Sequence, residues 1–519
     1  MHHDQAARRA FLRQLGAFTS LGAAAPLALN LAAMSSASAQ AASDYKAVVC
    51  LFMFGGNDAY NMFLPTDSTS FANYTAVRDQ APDSIALLAP GTAPVPTAQV
   101  ASPARLGGVL PIVPATARTA PGGGTQTFGL HPSLGALQTL FNSQKRLAVL
   151  ANVGPLKQPT TKAQYATTGY PLPASLFSHN DQQNTWQAFA PEGATKGWGG
   201  RMADLLLSQN TRASFTAVSV AGNAVWLSGD TVRQYQMSTS GAVRMGADSG
   251  GRLFGSTTVA SALERVVRNA RSTHRFETDM ADIHGRSIDA EVALRTTLKA
   301  ASDPLFGTAP VSGSYNANND PKLQYDNPLT GGKSSNSLAQ QFQMVARMIE
   351  ASSSSALGMK RQVFFVSIGG FDSHDGQNRN QADNMAKLAQ ALKYFDDTLG
   401  GLNLRSNVTT FTASDFGRTF TSNGDGTDHG WGSHHFIMGG AVKGGDVYGQ
   451  VPVLSARNAN SNNFDGSPDQ IGNGVMLPST SVDQYGATLG RWMGLSDGEL
   501  LSLFPNLANF SQRNLGFMA

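Results

Sequence analysis

Residues 47–58 have the sequence AVVCLFMFGGND, an unbroken apolar run that ends in two glycines and two polar residues. Because apolar and polar residues do not alternate, the run predicts a strand that is buried on both faces, as in a parallel sheet. The same order recurs at 362–368, which is followed by GGFDSH, and at 408–412, which is followed by ASDFGRT. These three strands, each with polar residues directly after it, are the framework of the predicted fold.

The rest of the chain extends this framework into a layered fold. Two more apolar runs, 147–152 and 215–220, also predict strands, and segments with helical periodicity lie at 133–142, 260–299, 337–352 and 381–402. Alternating strands and helices predict an α/β fold with a mostly parallel sheet and helices on both faces. The segment 260–299 is long enough for one extended helix or for two helices joined at His284 and Gly285.

Composition excludes several classes of protein. The chain has 519 residues, and its formal net charge of +3 predicts no broad electrostatic footprint for nucleic acid. A mean hydropathy of -0.18 argues against a multi-span membrane protein. The one cysteine, Cys50, excludes an intrachain disulfide and any cysteine-based zinc or iron–sulfur site.

The first 39 residues have the features of an export signal. Arg8 and Arg9 form a twin-arginine pair, an apolar stretch follows at 15–34, and residues 37–39 (ASA) offer a cleavage site. A membrane anchor is the alternative, but the apolar stretch is rich in Ala and Gly and ends in the cleavage motif. We therefore predict a signal cleaved near Ala39, the twin-arginine translocase as a partner during export, and a periplasmic or secreted protein without a stable transmembrane segment.

The mature chain, residues 40–519, is predicted to form a single domain with insertions. Stretches rich in Pro, Gly, Asn or Ser predict long loops near 89–124, 303–336 and 457–480. Loops of this length inside a compact domain are usually lids or family-specific insertions. The first two are the natural candidates to cover a binding crevice.

Aspartates follow all three strands of the framework, namely Asp58, Asp372 and Asp415. Since ligands bind outside the carboxyl ends of strands in an open parallel sheet, we expect these carboxylates at one crevice. Imidazoles are concentrated in the same part of the sequence, at His374, His429, His434 and His435, and His179 lies in another candidate site loop. Imidazoles with carboxylates suit Zn²⁺, Mn²⁺ or Fe, or a Zn/Mg pair, so the sequence predicts a site for a divalent metal.

Each of these residues also has a purely structural interpretation. An Asp after a strand is commonly a helix N-cap or a turn former, and the DHG sequence at 428–430 is compatible with a simple turn. Neighbouring residues in a strand face opposite sides, so at most one of His434 and His435 is a ligand. The repeated placement of Asp after a strand, twice after a Gly-Gly pair, favours a site over coincidence.

Three further residues are candidates for catalysis. Ser178 stands just before a helical stretch, where backbone N–H groups favour an anion and lower the pKa of a hydroxyl. An ordinary N-cap serine is the simpler interpretation of Ser178. Arg201 and Arg418 are each suited to clamp an oxyanion through a planar guanidinium, or to serve in a structural ion pair.

Taken together, these motifs resemble the exported bacterial family catalogued as domain of unknown function 1501. The resemblance is carried by the leader and by FGGND at 54–58, GGFDSH at 369–374, SDFGRT at 414–419, DHG at 428–430, TSVDQY at 480–485 and FPNL at 504–507. That family is placed in the alkaline phosphatase/sulfatase-like superfamily. The resemblance therefore implies an alkaline phosphatase-like α/β/α sandwich and metal-assisted hydrolysis or transfer of phosphate or sulfate esters.

The superfamily's pattern carries over to particular residues of this chain. The resemblance implies Asp58 as the metal aspartate after the first strand and Ser178 as the nucleophile. It implies Asp372 and His374 as a metal pair, although their spacing is shorter than usual. The final metal histidine would be His429, or His434 in its place.

One departure concerns the number of metal ions. Asp415 stands where the superfamily has an Asp-His pair, but Phe416 replaces the histidine. A single-metal site, or a site that has lost catalysis, fits this departure as well as a two-metal site does.

We therefore expect an exported metal-dependent hydrolase or transferase that acts on a small-molecule or glycan ester. The alternative is a catalytically inactive binding or assembly protein of the cell envelope built on the same fold. A redox enzyme suits the export route too, but the sequence contains nothing that resembles a haem, flavin or molybdenum-cofactor motif.

Overall fold

The computed structural model describes residues 44–241, 251–268, 274–458 and 463–519. The predicted export signal at 1–39 and a part of the predicted loop at 457–480 lie outside the described residues. Residues Lys46–Ala519 form one compact unit. Within the described ranges, no helix combines the length and the apolar character that crossing a membrane requires.

Three sheets are present in the described part of the chain. Their strands are β1 (Lys46–Met53), β2 (Phe63–Pro65), β3 (Leu110–Ile112), β4 (Phe128–Leu130), β5 (Leu147–Gly154), β6 (Ala217–Ser219), β7 (Tyr235–Gln236), β8 (Gln324–Asp326), β9 (Lys333–Ser335), β10 (Arg361–Ile368), β11 (Val408–Ser414), β12 (Ser433–Gly439), β13 (Val447–Tyr448) and β14 (Thr480–Ser481). The main sheet has the order β13-β5-β12-β11-β1-β10-β6-β7, with β14 paired to β5. A small antiparallel sheet has the order β2-β4-β3, and β8 pairs with β9.

The main sheet is parallel apart from one strand. β1 pairs in parallel with β10 on one side and with β11 on the other. β12 is antiparallel to both of its neighbours, β11 and β5. The mostly parallel sheet that the apolar runs predicted is therefore confirmed, and β12 makes it a mixed sheet.

Helices lie around the main sheet and give the chain its α/β character. In the described residues they are α1 (Ser68–Arg78), α2 (Pro103–Leu106), α3 (Gly135–Asn142), α4 (Lys162–Tyr165), α5 (His179–Ala188), α6 (Trp198–Leu206), α7 (Thr257–Arg268), α8 (Arg275–Thr297), α9 (Ser337–Ala351), α10 (Gln377–Gly401), α11 (Val482–Met493) and α12 (Asp497–Leu503). Short 3-10 turns connect several of them.

The central strand β1 shows why these sequences form buried strands. Every residue of β1 after Lys46 is buried, which explains its unbroken apolar sequence. Val48, Cys50 and Phe52 belong to one core cluster, as alternate residues on one face of a strand do. The same cluster contains Trp186 of α5, so the helix that begins at His179 is anchored on the sheet.

The predicted helical segment 260–299 differs from the structure in the position of its break. The segment 260–299 does form two helices, but α7 ends at Arg268 and α8 begins at Arg275. α8 continues through both His284 and Gly285 over its 23 residues. A glycine costs a helix only about 1 kcal/mol relative to alanine, which is too little to break a helix of this length.

The sheet topology brings the predicted site loops to one edge. Met53 at the end of β1 is in register with Ile368 of β10 and with Ser414 of β11, so the three loops that follow these strands leave side by side. Because β12 is antiparallel, it begins at that same edge. The loop 415–432 that connects β11 to β12 therefore stays there as well.

Candidate metal centre

Two glycines allow the strand-end loops to close on each other. Gly55 and Gly56 both have positive φ, 111° and 80°, which residues with side chains rarely adopt. A Cβ atom on Gly55 would lie 2.4 Å from the backbone N of Asp372. A Cβ atom on Gly56 would lie 2.3 Å from the Phe416 ring. The glycine pair after β1 is therefore required for the approach of the loops after β10 and β11.

Four side chains meet at this edge, and we call them the His/Asp cluster. Ligand atoms of His179, Asp372 and His429 all lie within 4.8 Å of one another. Nε2 of His179 is 3.4 Å from Oδ2 of Asp372, and Nε2 of His429 is 3.5 Å from Oδ1. Nε2 of His374 is 3.1 Å from Oδ1 of Asp372 and 2.9 Å from Nε2 of His429.

Each histidine of the cluster has an acceptor beside its Nδ1 atom. The three pairs are His179 with Oδ2 of Asp415 at 2.8 Å, His429 with the carbonyl of Phe177 at 2.7 Å, and His374 with Oδ1 of Asp428 at 3.3 Å. An acceptor on one ring nitrogen fixes the tautomer in which the other nitrogen carries the lone pair. In the neutral form of each ring, the Nε2 atom therefore carries the lone pair and lies close to the Asp372 carboxylate.

Asp415 anchors His179 from a fully buried position. Its Oδ2 also accepts hydrogen bonds from the backbone N of Gly55 at 3.1 Å and from Nε2 of Gln183 at 2.9 Å. The hydrogen bond to Asp415 raises the pKa of His179 and outweighs burial, which acts in the opposite direction. Nε2 of His179 is buried without a hydrogen-bond partner among the described residues, which suits a nitrogen that holds a further ligand.

His429 is disposed to stay neutral. Burial lowers the pKa of His429, although the hydrogen bond to the Phe177 carbonyl acts in the opposite direction. A neutral imidazole is the form that binds a metal. The exposed members of the cluster are Asp372, at 44%, and His374, at 47%.

Arg418 holds Asp372 from a fully buried position. Its Nη1 atom donates to Oδ1 of Asp372 at 2.7 Å and to the Gly55 carbonyl at 3.1 Å, while Nε and Nη2 bond to Thr427. Burial by itself would raise the pKa of Asp372, but the hydrogen bond and charge of Arg418 outweigh it and the pKa is lowered. Asp372 is therefore an ionised carboxylate at the centre of three imidazoles.

The spacing and chemistry of the cluster fit a transition metal. Ligands that lie 2.0–2.1 Å from an ion such as Zn²⁺ are about 2.9–3.4 Å from their neighbours in octahedral or tetrahedral coordination. The contacts that Asp372 and His374 make within the cluster measure 2.9–3.5 Å, and the ligand atoms of His179, Asp372 and His429 all lie within 4.8 Å of one another. Imidazole with carboxylate suits Zn²⁺, Mn²⁺ and Fe better than Mg²⁺, which prefers oxygen ligands.

Asp58, which the sequence predicted as a ligand, lies in an ion pair instead of in the cluster. Its carboxylate binds Arg78 at two points, Oδ2 to Nη1 at 2.6 Å and Oδ1 to Nη2 at 3.0 Å. Both side chains are buried, and Gln377 donates a further hydrogen bond to Oδ2 at 2.5 Å. The guanidinium binds both carboxylate oxygens and repels cations. Asp58 is therefore not placed as a metal ligand, which corrects the expectation from the sequence.

Buried hydrogen bonds nevertheless connect Asp58 to the cluster. Oε1 of Gln377 accepts from the Thr427 hydroxyl at 2.6 Å, and that hydroxyl accepts from Nε of Arg418 at 3.2 Å. Arg418 in turn binds Asp372. Asp58 therefore supports the cluster through its neighbours.

Of the three predicted catalytic residues, Arg418 contacts the cluster, Ser178 is next to it in the sequence, and Arg201 contacts a different part of the chain. Ser178 is the N-cap of α5 and directly precedes His179, and its side chain makes no hydrogen bond that caps the helix. Arg201 donates to the carbonyls of Ser502 and Leu503 at 3.1 and 3.3 Å, so it links α6 to the end of α12. Arg418 binds Asp372, as described above.

His434 and His435 are both buried in β12. Nδ1 of His434 accepts from the backbone N of Asn152 at 3.0 Å, and Nδ1 of His435 is 3.3 Å from the Thr412 hydroxyl. Burial lowers the pKa of both histidines to about 3. Of the two alternatives for the final metal histidine, the structure brings His429 to the cluster and leaves His434 in the core.

Sequence reasoning did not include His179 among the ligands, nor Asp428 beside His374. The sequence FSHND at 177–181 pointed to a helix N-terminus, and α5 does begin at His179. Nothing local indicates that this N-terminus reaches the strand ends, because its partner Asp415 lies 236 residues further along the chain.

Fold and cluster together define an α/β protein with a histidine/aspartate centre at the carboxyl ends of three neighbouring parallel strands. The chain belongs to the family described as Protein of unknown function (DUF1501), whose sequence model matches residues 45–502. The matched range includes all four residues of the His/Asp cluster, so the centre is built within the family region.

Comparisons with other proteins give no further indication of function. No match was found among curated proteins. A solved structure titled "Crystal structure of Ps i-CgsB in complex with k-i-k-neocarrahexaose" is similar over 70% of this chain and 69% of that chain. Its sequence identity is 9% and its TM-score is 0.28, and a similarity of this size carries no argument about function.

Proposed function

We propose that the protein is a metal-dependent hydrolase or transferase of phosphate or sulfate esters, with the His/Asp cluster as its metal centre. The observation that carries the proposal is the shared orientation of the three imidazoles. Each Nδ1 atom is beside an acceptor, and each Nε2 atom is near the Asp372 carboxylate. Metal-binding histidines have this arrangement in proteins.

The reaction class comes from the alkaline phosphatase/sulfatase-like superfamily that the motifs resemble. A metal ion at the cluster would supply Lewis-acid polarisation of a phosphoryl or sulfuryl oxygen. Asp415 keeps His179 in the tautomer with a free Nε2, and Arg418 keeps Asp372 ionised. The exposed side of the cluster, at Asp372 and His374, is where an ester would approach.

The donor set favours one ion over two. Arg78 neutralises Asp58, and Asp415 serves as the hydrogen-bond partner of His179. The ligands that remain are those of the His/Asp cluster. One zinc, manganese or iron ion per chain is therefore the proposed complement, and magnesium is disfavoured.

Turnover of 4-nitrophenyl phosphate and 4-nitrophenyl sulfate tests the proposal. Purified protein, stripped with a chelator and reloaded with Zn²⁺, Mn²⁺ or Fe²⁺, is expected to hydrolyse at least one of the two esters. Asp372→Asn and His429→Ala are expected to lose at least about 100-fold in kcat/KM, because each removes a ligand of the centre.

Matched controls are available on the surface. Asp326→Asn and His284→Ala make the same chemical changes at residues outside the cluster, and both should keep full activity. Absence of metal-dependent turnover with either ester, or equal turnover in Asp372→Asn and Asp326→Asn, would contradict the proposed reaction.

A specific observation favours a second candidate, a catalytically inactive binding or assembly protein of the cell envelope. The Arg418 guanidinium is fully buried and donates hydrogen bonds to Asp372, Gly55 and Thr427. The group expected as an oxyanion clamp is therefore already engaged within the protein. Metal that binds at the cluster without turnover across aryl phosphates and sulfates would favour this candidate.

We also propose export in the folded state through the twin-arginine route. The proposal rests on Arg8 and Arg9 with the apolar stretch and the cleavage motif behind them. Replacing both arginines by lysine is expected to retain the full-length chain in the cytoplasm. Release of the processed chain by that variant would contradict this route.

A further inference from the structure

The helices α7 and α8 expose two apolar stripes. The stripes consist of Val259, Leu263 and Val266 on α7 and of Phe276, Met280 and Ile283 on α8, which are 37–75% exposed. In both helices the three residues stand at i, i+4 and i+7, so each set lies on one helix face. The two helices pack against each other, and Arg268 of α7 bridges to Asp289 of α8 at 2.8 Å. Both stripes therefore lie on one pair of packed helices.

The size of this surface argues for a partner. Phe254, just before α7, is 91% exposed and adds to the stripes. Together these side chains expose on the order of 700 Å² of apolar surface, using typical side-chain areas. The largest apolar patch on a typical monomer is about 300–600 Å². One side of a standard protein interface buries about 800 Å².

Charge complementarity between the two helices favours a second copy of the chain as the partner. Arg268 of α7 already pairs with Glu264 and with Asp289 of α8, which leaves Arg265 as the remaining charge of α7. On residues 275–289 of α8, Glu277, Asp279 and Asp282 then outnumber Arg275 and Arg286, so this part of the helix has a net negative charge. A two-fold axis that places α7 of one copy against α8 of the other joins surfaces of opposite sign. A strongly acidic or basic partner would meet one helix of its own sign.

We propose that the chain forms a two-fold dimer in which the stripes of two helix pairs pack as a four-helix bundle. Apolar residues at i, i+4 and i+7 are the pattern that packs helices at about 20° in such bundles. The dimer rests on this surface alone and does not depend on the proposed enzymatic function.

Light scattering coupled to size exclusion tests the dimer with the purified full chain. Wild type is expected to be dimeric at micromolar concentration. Phe276→Asp and Ile283→Asp are expected to raise the dimer Kd at least about 100-fold, because each puts a charge into the apolar contact. Both residues are exposed in the single chain, so the melting temperature extrapolated to low concentration should stay unchanged.

Val311→Asp is the matched control, because Val311 is fully exposed outside the two helices. This variant should remain dimeric. A wild type that stays monomeric at about 100 µM would overturn the proposal, as would a dimer that Phe276→Asp leaves intact. Binding of a monomeric wild type to phosphatidylglycerol vesicles, lost in Phe276→Asp, would assign the stripes to a membrane surface and overturn it too.

Discussion

Asp415 and Asp58 are both buried aspartates that follow a strand of the central sheet, yet their side chains bind different kinds of partner. Asp415 accepts the Nδ1 hydrogen of His179, whereas Asp58 binds the guanidinium of Arg78 at two points. A strand-end rule predicts both carboxylates equally well, because it contains no information on which side chain arrives opposite them. Their partners determine that one orients a ligand and the other stabilises the fold.

For Asp415 we expect an effect on metal affinity. Asp415→Asn removes the charge that favours the lone-pair tautomer of His179, and loss of such a partner typically weakens metal binding 10–100-fold, roughly. A competition titration of zinc against a chelating dye measures this change. Asp469→Asn alters another buried aspartate outside the cluster and should leave the affinity at the wild-type value. An unchanged affinity in Asp415→Asn would refute its orienting role.

For Asp58 we expect an effect on stability. Asp58→Ala leaves the fully buried Arg78 without its counterion, and breaking a buried pair in this way costs about 3–5 kcal/mol. Urea unfolding of the chelator-treated protein measures the loss. Asp326→Ala makes the same change at an exposed residue that pairs with an exposed lysine, and it should cost far less under the same conditions. Equal unfolding free energies for wild type and Asp58→Ala would contradict the ion pair's structural role.

At the scale of elements, the closing segment of the chain contains a buried carboxylate with a raised pKa. Asp483 in the first turn of α11 accepts from the backbone N of Asn506 at 2.9 Å, which ties α11 to the chain after α12. Burial raises the pKa of Asp483 from 3.8 to about 6 and outweighs these hydrogen bonds. The family motifs at 480–485 and 504–507 therefore meet in one contact.

This shift predicts a pH dependence of stability. Because the folded pKa of Asp483 is above its ordinary value, the folded state binds more protons between about pH 4 and 6, and stability falls as the pH rises through this window. The loss is about 3 kcal/mol and is complete above pH 6. Asp483→Asn should remove this dependence, so that its unfolding free energy rises relative to wild type between pH 4.5 and 7.5.

Urea unfolding of both proteins at those two pH values measures the difference. Asp326→Asn, at an exposed residue of β8, controls for the general effect of removing one carboxylate. A difference between Asp483→Asn and wild type that stays constant over this pH range would show that Asp483 titrates alike in the folded and unfolded chain.

Strands and helices were predictable from the sequence where a local pattern, such as a continuous apolar run, determines the element. β1, β10 and β11 are continuous apolar runs that end in glycine or polar turns, and each agrees with its prediction within two residues. The direction of β12 was not predictable, because antiparallel pairing follows from the path of the loop 415–432. The alternative break at His284 and Gly285 is not found in α8, since Gly285 is a weak helix breaker.

For the molecule as a whole, the sequence predicted only those residues of the site that lie in loops at the carboxyl ends of the strands. Asp372, His374 and His429 were expected from their loops, and they do come together. His179 was not expected as a ligand, because packing of α5 against the sheet, through Trp186, places it there. Long-range packing of this kind leaves no spacing pattern in the sequence.

The metal content of the purified protein shows whether the His/Asp cluster binds a metal ion. Elemental mass spectrometry of the purified protein, after reconstitution with Zn²⁺, Mn²⁺ or Fe²⁺ and removal of excess, should find about one ion per chain. His179→Ala and His429→Ala should retain less than about a tenth of that amount, whereas His284→Ala should retain all of it. A wild type that binds none of these metals, or cluster variants that bind as much as wild type, would contradict metal binding at the cluster.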